Sequence, residues 1–304
     1  MTREAPRTVF FLSDFGTEDE FAGVVHAVIA ARAPGTTVID LTHHIPAFDV
    51  RSGSHALVRA VPFLGEGVVL AVVDPGVGTE RRGIALEVTP FGEGPRWFVG
   101  PDNGLLIAAA EAAAEAPVGR VVELRRPEAA AGASGGSEDT GPTFDGRDVF
   151  GPAAAALCAG ASLDELGTPV DAASVVRLVG GVVEAGRLDD GRACLRTEVT
   201  WVDHYGNVQL AATAADARIA GIPLTGRVQL AGRGESERPP PDGFPRALVP
   251  DGVALECVDA FGRLARGEFG LLVDANGHLA VVAGQASAAH WLNIAAGELL
   301  VLAW

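Results

Sequence analysis

The strongest constraint on the fold is a change of period near residue 190. Before it, short apolar runs alternate with helical stretches. Residues 8–12, 37–41, 67–73, 84–89 and 97–99 read as strands, and 21–33, 50–63, 105–115 and 148–160 as helices. Pro34-Gly35 is a strong stop for the first helix. Buried strands alternating with helices imply an α/β domain with a mainly parallel sheet covered on both faces. Beyond the change, short strands with turn signals dominate, at 193–203, 207–210, 226–230, 271–273, 280–282 and 298–303. That spacing suggests a smaller all-β domain, a barrel or a sandwich. The Gly-rich stretch 178–192 is the expected boundary, between an N-terminal α/β domain at 1–183 and a C-terminal β domain at 190–304. Two segments read as surface loops: 127–142, rich in Ala, Gly and Ser, and 233–246, which contains Pro239-Pro240-Pro241.

Charge and composition exclude several classes of function. A net charge of −16 repels nucleic-acid phosphates and anionic membranes, so neither is an expected partner. All 23 basic residues are arginine, which rules out lysine Schiff-base chemistry and a P-loop lysine. No apolar run reaches the length of a membrane span, and the run at 9–12 is too short for a signal-peptide core. The cysteines, Cys158, Cys194 and Cys257, are scattered and odd in number. They read as core residues in a reducing compartment, so a cytoplasmic protein is expected. No GxGxxG or GxSxG pattern occurs, which counts against a nicotinamide dehydrogenase and a serine hydrolase. His43-His44 invites a metal reading, but adjacent histidines usually point apart and no set with zinc spacing completes it. Neither a metal nor another cofactor is expected.

Four segments place polar groups at the ends of expected strands, where α/β sheets bind ligands. In Ser13-Asp14-Phe15-Gly16, the carboxylate could accept from a ribose diol or cap the helix that follows. In Val73-Asp74-Pro75-Gly76-Val77-Gly78-Thr79-Glu80-Arg81-Arg82, a Pro-Gly turn brings Asp74 and Arg81 within reach of each other, as a catalytic pair or a structural one. Gly100-Pro101-Asp102-Asn103-Gly104 is a turn before a helix, which Asp102 or Asn103 could cap. Thr143-Phe144-Asp145-Gly146-Arg147-Asp148 reads as a second ion-pair cluster.

Taken in this order, these segments resemble the S-adenosyl-L-methionine hydroxide adenosyltransferases, relatives of the fluorinase and chlorinase. Asp40-Leu41-Thr42-His43, Ile45-Pro46, Asp49-Val50, Val202-Asp203 and Tyr205-Gly206-Asn207 extend the match over nearly the whole chain. The resemblance implies hydrolysis of S-adenosyl-L-methionine to adenosine and L-methionine. It also implies a homotrimer, with each site between the N-terminal domain of one subunit and the C-terminal domain of the next. By this resemblance Asp14 would hold the ribose hydroxyls and Phe48 would line the ribose pocket. Asp203 would bind the methionine ammonium, Asn207 the adenine edge, and Phe261 would stack on adenine. Ala288 and Ala289 would offer it backbone groups. Asp74, Arg81 and Asp145 would be catalytic.

The halogenating relatives carry Tyr-Pro-Ala-Thr where this chain has Asp74-Pro75-Gly76-Val77. A carboxylate repels halide but suits water, which needs orienting and a proton acceptor. One departure stands out: the hydrolase branch has histidine where this chain has Asp145. Two carboxylates beside one arginine would repel, raising one pKa. Asp145 would then either accept the water's proton or hold Arg81. A non-catalytic S-adenosylmethionine or adenosine binder, a sensor or sink, is the rival reading.

Overall fold

The computed structural model of the chain describes residues 8–90, 94–126, 141, 143–234 and 252–304. It contains two compact units, Met1–Leu178 and Val179–Trp304. The expected loop at 127–142 lies outside the described residues except at 141 and 143, as does all but the start of 233–246. No helix among the described residues is long and apolar enough to cross a membrane.

The first unit runs β1 (Thr8–Ser13), α1 (Phe21–Arg32), β2 (Thr37–Thr42), α2 (Val50–Ala60), β3 (Gly67–Val72), β4 (Gly83–Val88) and β5 (Arg96–Pro101). It continues with α3 (Ile107–Ala114), β6 (Arg120–Leu124), α4 (Gly151–Cys158), α5 (Leu163–Leu166) and β7 (Gly167–Val170). The sheet order is β2-β1-β3-β5-β4-β6-β7. Strands β2, β1, β3 and β5 are parallel, and β4, β6 and β7 extend them as an antiparallel wing.

Both faces are covered, and the period of two along β1 decides which side chain goes where. Val9 and Phe11 join Val25 and Ile29 of α1 and Ala154 and Leu157 of α4 in one core. Phe10 and Leu12 join Leu57 of α2 and Ala109 of α3 in the other. All six residues of β3 are buried, as expected of a strand sandwiched between two helical layers. Gly100 is required for this packing, because a Cβ there would stand 2.2 Å from the Ala71 carbonyl oxygen on β3. Asp49 caps α2, accepting from the Ser52 N–H at 3.0 Å.

The second unit contains β8 (Val183–Arg187), β9 (Ala193–Val202), β10 (Val208–Thr213), α6 (Ala214–Ile219), β11 (Arg227–Gly234) and β12 (Val253–Cys257). It ends with β13 (Phe269–Val273), β14 (His278–Ala283), α7 (Ala288–Leu292) and β15 (Leu299–Ala303). The order β10-β14-β13-β12-β11-β15-β9 closes through a β9–β10 pairing. The result is a seven-stranded barrel filled by Leu195, Val208, Leu230, Leu255, Leu279 and Leu302 among others. Of the barrel and the sandwich, the chain forms the barrel. The ten-residue β9 carries β8 beside its first half and β10 beside its second. The Gly-rich stretch read as a boundary therefore holds a strand of its own.

Candidate active site

Strand β3 ends against a turn that carries Asp74. Val77 N–H donates to the Asp74 carbonyl at 3.2 Å, and Thr79 N–H to that of Gly76 at 3.2 Å. Thr79 Oγ1 donates to the Gly76 carbonyl at 2.7 Å and accepts from Arg81 N–H at 3.3 Å. Gly78, at φ +77°, takes the left-handed conformation that closes the reversal. Seven residues of sequence are thus folded back, and Arg81 faces Asp74. Asn103 braces the same turn: its Nδ2 donates to the Val73 carbonyl at 2.9 Å, and its Oδ1 accepts from Leu105 N–H at 3.2 Å.

The guanidinium of Arg81 grips two carboxylates. Nε donates to Asp74 Oδ1 at 3.1 Å, and Nη2 donates both to Asp74 Oδ2 and, at 2.7 Å, to Asp145 Oδ2. The Phe150 ring lies 5.3 Å below the guanidinium carbon. Asp145 stands at the start of a π-helical turn (Gly146–Phe150) that leads into α4. A fourth member has no motif to announce it. Arg126, just past β6, donates from Nη1 to Asp145 Oδ1 at 3.0 Å and from Nη2 to Oδ2 at 2.9 Å. Two carboxylates and two guanidiniums alternate, so the quartet is neutral as a whole. Its centre is buried: Asp74, Asp145 and Arg81 are 5%, 2% and 10% exposed, against 46% for Arg126. A cavity of about 260 Å³ adjoins it, lined by Thr79, Arg81, Glu123, Arg126 and Asp145 among others.

Burial pushes the Asp74 carboxyl above its ordinary value. The charge of Arg81 and its hydrogen bonds pull the other way, the Asp145 charge adds to the rise, and the Gly76 N–H opposes it. Asp74 is therefore a carboxylate with raised proton affinity, while both oxygens of Asp145 accept from arginine.

Two further ion pairs of these segments form separately. Arg147 turns to Asp148, donating through Nε and Nη2 at 2.7 Å each. Arg82 takes Asp102, whose other oxygen accepts from Val176 N–H at 2.9 Å. Asp14 does not cap α1, which begins at Phe21 without a side-chain cap. Its Oδ2 accepts instead from the N–H of Phe48 at 2.9 Å, across 34 residues of sequence. Phe48 is exposed and held at φ +66°, a conformation rare for a bulky residue.

In the second unit Asp203 organises the turn after β9. Oδ1 accepts from the N–H groups of Tyr205 at 2.9 Å and Asn207 at 2.8 Å, and Oδ2 from Asn207 Nδ2 at 2.8 Å. Ala289, at the start of α7, donates its N–H to the Gly206 carbonyl at 2.9 Å, so Ala288 and Ala289 sit beside that turn. Phe261 lies half-exposed on a short 3₁₀ turn (Phe261–Arg263).

The geometry brings Asp74, Arg81 and Asp145 together, ties Asp14 to Phe48, and groups Asp203, Asn207, Ala288 and Ala289. Comparison with known proteins points to the same chemistry. Residues 9–167 match the SAM hydroxide adenosyltransferase N-terminal domain family. The chain is 39% identical to an (R)-S-adenosyl-L-methionine hydrolase of Salinispora tropica over 96% of both proteins. It is 40% identical to one of Thermus thermophilus over 82% of this chain and 91% of that protein. A solved structure of a conserved protein from Thermotoga maritima superposes with a TM-score of 0.75 at 28% identity, covering 97% of this chain and 99% of the other. Matched over more than half its length by the family and end to end by a hydrolase relative, the chain belongs to the SAM hydroxide adenosyltransferases.

Proposed function

We propose that the protein hydrolyses S-adenosyl-L-methionine to adenosine and L-methionine. The observation that carries this reading is the buried Asp74–Arg81–Asp145 cluster at the carboxyl end of the parallel strands. The named activity of relatives near 40% identity supports it.

The reaction is an in-line displacement at the ribose C5′. A water oxygen forms the new bond to carbon, the carbon–sulfur bond breaks, and its electron pair neutralises the sulfonium. Sulfur leaves without acid assistance, so alignment of the water supplies most of the acceleration. Asp74 accepts the water's proton, for which its raised affinity suits it. Arg81 holds that carboxylate in place. Asp145, held by two arginines, positions Arg81 rather than taking the proton.

Asp14 keeps one carboxylate oxygen for the ribose hydroxyls and Phe48 lines their pocket. Asp203 Oδ2 retains a lone pair for the methionine ammonium. Asn207 recognises the adenine edge, Phe261 stacks on the base, and Ala288 and Ala289 offer backbone groups.

The test is incubation of purified protein with S-adenosyl-L-methionine, without metal or added halide, followed by chromatography. Equal yields of adenosine and methionine are expected. Binding without product above the spontaneous background would move the assignment to a sensor or sink. A chloride-dependent 5′-chloro product would move it to halogenation.

The functional form is proposed to be a homotrimer in which a neighbouring subunit completes each site. Dissociation should then abolish activity, and a fully active monomer would contradict it. Asp145→Asn checks the positioning role. It removes one cause of the raised Asp74 value, so the acidic limb of turnover against pH is expected to move to lower pH. A limb that stays in place would show that the two carboxylates do not interact.

A further inference from the structure

Three side chains, from α1, from β2 and from the loop after it, converge at the β2 edge of the sheet, and the catalytic reading uses none of them. His26 projects from the middle of α1, Asp40 from β2, and His43 from just beyond it. His26 Nε2 is 2.8 Å from Asp40 Oδ1, and His43 Nε2 is 3.1 Å from the same oxygen. All three ligand atoms lie within 4.8 Å of one another. We propose that His26, Asp40 and His43 form a binding site for a divalent transition-metal ion of the zinc class.

The argument rests on His43. Its ring is 6% exposed, and its Nε2 makes no hydrogen bond to any described residue. The Asp40 oxygen is close but does not meet hydrogen-bond geometry. A buried ring nitrogen left in this way requires an explanation, and a metal ion replacing the His26–Asp40 hydrogen bond would give it a partner. The other ring nitrogen, Nδ1, is 2.7 Å from Ser13 Oγ. That is the outer contact that fixes the orientation of metal-bound histidines. Both imidazoles pack on the buried Phe11 ring, at centroid distances of 4.7 Å for His43 and 6.0 Å for His26. His43 is thereby held by the core, while the partly exposed His26 and Asp40 hold each other through a 2.8 Å hydrogen bond.

The distances also fit. Zinc bonds of about 2.0–2.1 Å in a tetrahedral site place ligand atoms about 3.3 Å apart, so the pairs at 2.8 and 3.1 Å need to open by a few tenths of an ångström, and the histidine pair, within 4.8 Å, has to settle at the same separation. Two imidazoles and one carboxylate select zinc or cobalt over magnesium or calcium, which prefer all-oxygen sites. His26 and Asp40 are partly exposed, which leaves a coordination position open to solvent. The sequence hides this set. Its conspicuous pair, His43-His44, divides between interior and surface, and the side chains that meet His43 come from α1 and from β2 just before it.

The test is calorimetric titration of the chelator-treated, full-length protein with zinc chloride, with cobalt(II) absorption as a second readout. One ion per chain is expected, with a visible ligand-field band for cobalt. His26→Gln keeps a hydrogen-bonding side chain beside Asp40 but removes a ligand. It should fold normally and lose that uptake, as should Asp40→Asn, whereas His44→Gln should retain it. Absence of uptake in the unsubstituted protein would overturn the proposal. So would uptake that survives both His26→Gln and Asp40→Asn.

Discussion

Asparagine in place of Asp74 is expected to lower turnover by about 10²–10⁴-fold, the contribution of a well-placed general base. KM should change little, because the base meets the attacking water and not the parts of the substrate that give affinity. The substitution is isosteric and retains an acceptor for Arg81, so the fold should persist. Initial rates of adenosine formation across a range of substrate concentrations separate the two constants. Unchanged turnover would remove Asp74 from the mechanism. The unsubstituted enzyme should lose activity as pH falls through the raised value of Asp74, since only the ionised carboxylate accepts a proton. The stability linkage runs the other way. A carboxyl whose folded-state pKa is raised stabilises the fold fully below its unfolded value, near 3.8, and that contribution is lost as pH rises through the folded one.

Arg81→Ala is expected to damage both catalysis and stability. It leaves Asp74 and Asp145 buried with their shared partner gone, and breaking a buried pair in this way costs about 3–5 kcal/mol. For a unit of this size that corresponds to a fall in Tm of about 10 °C. The deficit should be smallest in acid, where Asp74 is protonated, and should grow as pH rises. Arg81 is also a cause that lowers the Asp74 value, so any residual activity should show its acidic limb displaced to higher pH. Thermal melts and rate profiles across pH measure both effects. A variant with native Tm and full turnover would show that the arginine neither holds the base nor neutralises it.

How much could be read in advance depended on how much local sequence carried. The elements from β1 to β3 were legible because short continuous apolar runs and stretches of helical period were punctuated by Pro34-Gly35. Strands β6, β7 and β8 were not. Arg120-Val-Val-Glu-Leu is too short to establish a period, Gly167-Thr-Pro-Val carries a proline at a sheet edge, and Val183-Glu-Ala-Gly-Arg is mostly exposed. These segments become strands because a neighbour offers its hydrogen-bonding edge, which no window of sequence reveals. The site divides in the same way. Asp74 and Arg81 were legible because one turn joins them. Asp145 was placed with them by resemblance, being 64 residues from Arg81. Arg126 gave no signal, since an arginine beyond a short strand looks like any surface cation.

The shared guanidinium has a further consequence. Arg81 serves two carboxylates and Arg126 holds one of them from the far side, so the four side chains do not contribute independent increments. Losing Arg81 alone leaves Asp74 without its arginine and Asp145 held by Arg126 only, whereas losing it after Asp145 affects Asp74 alone. The second substitution is therefore milder in the background of the first, and the order of events determines whether an intermediate survives. Change within this cluster is epistatic, and its members can be exchanged only along paths on which acid and base are given up together.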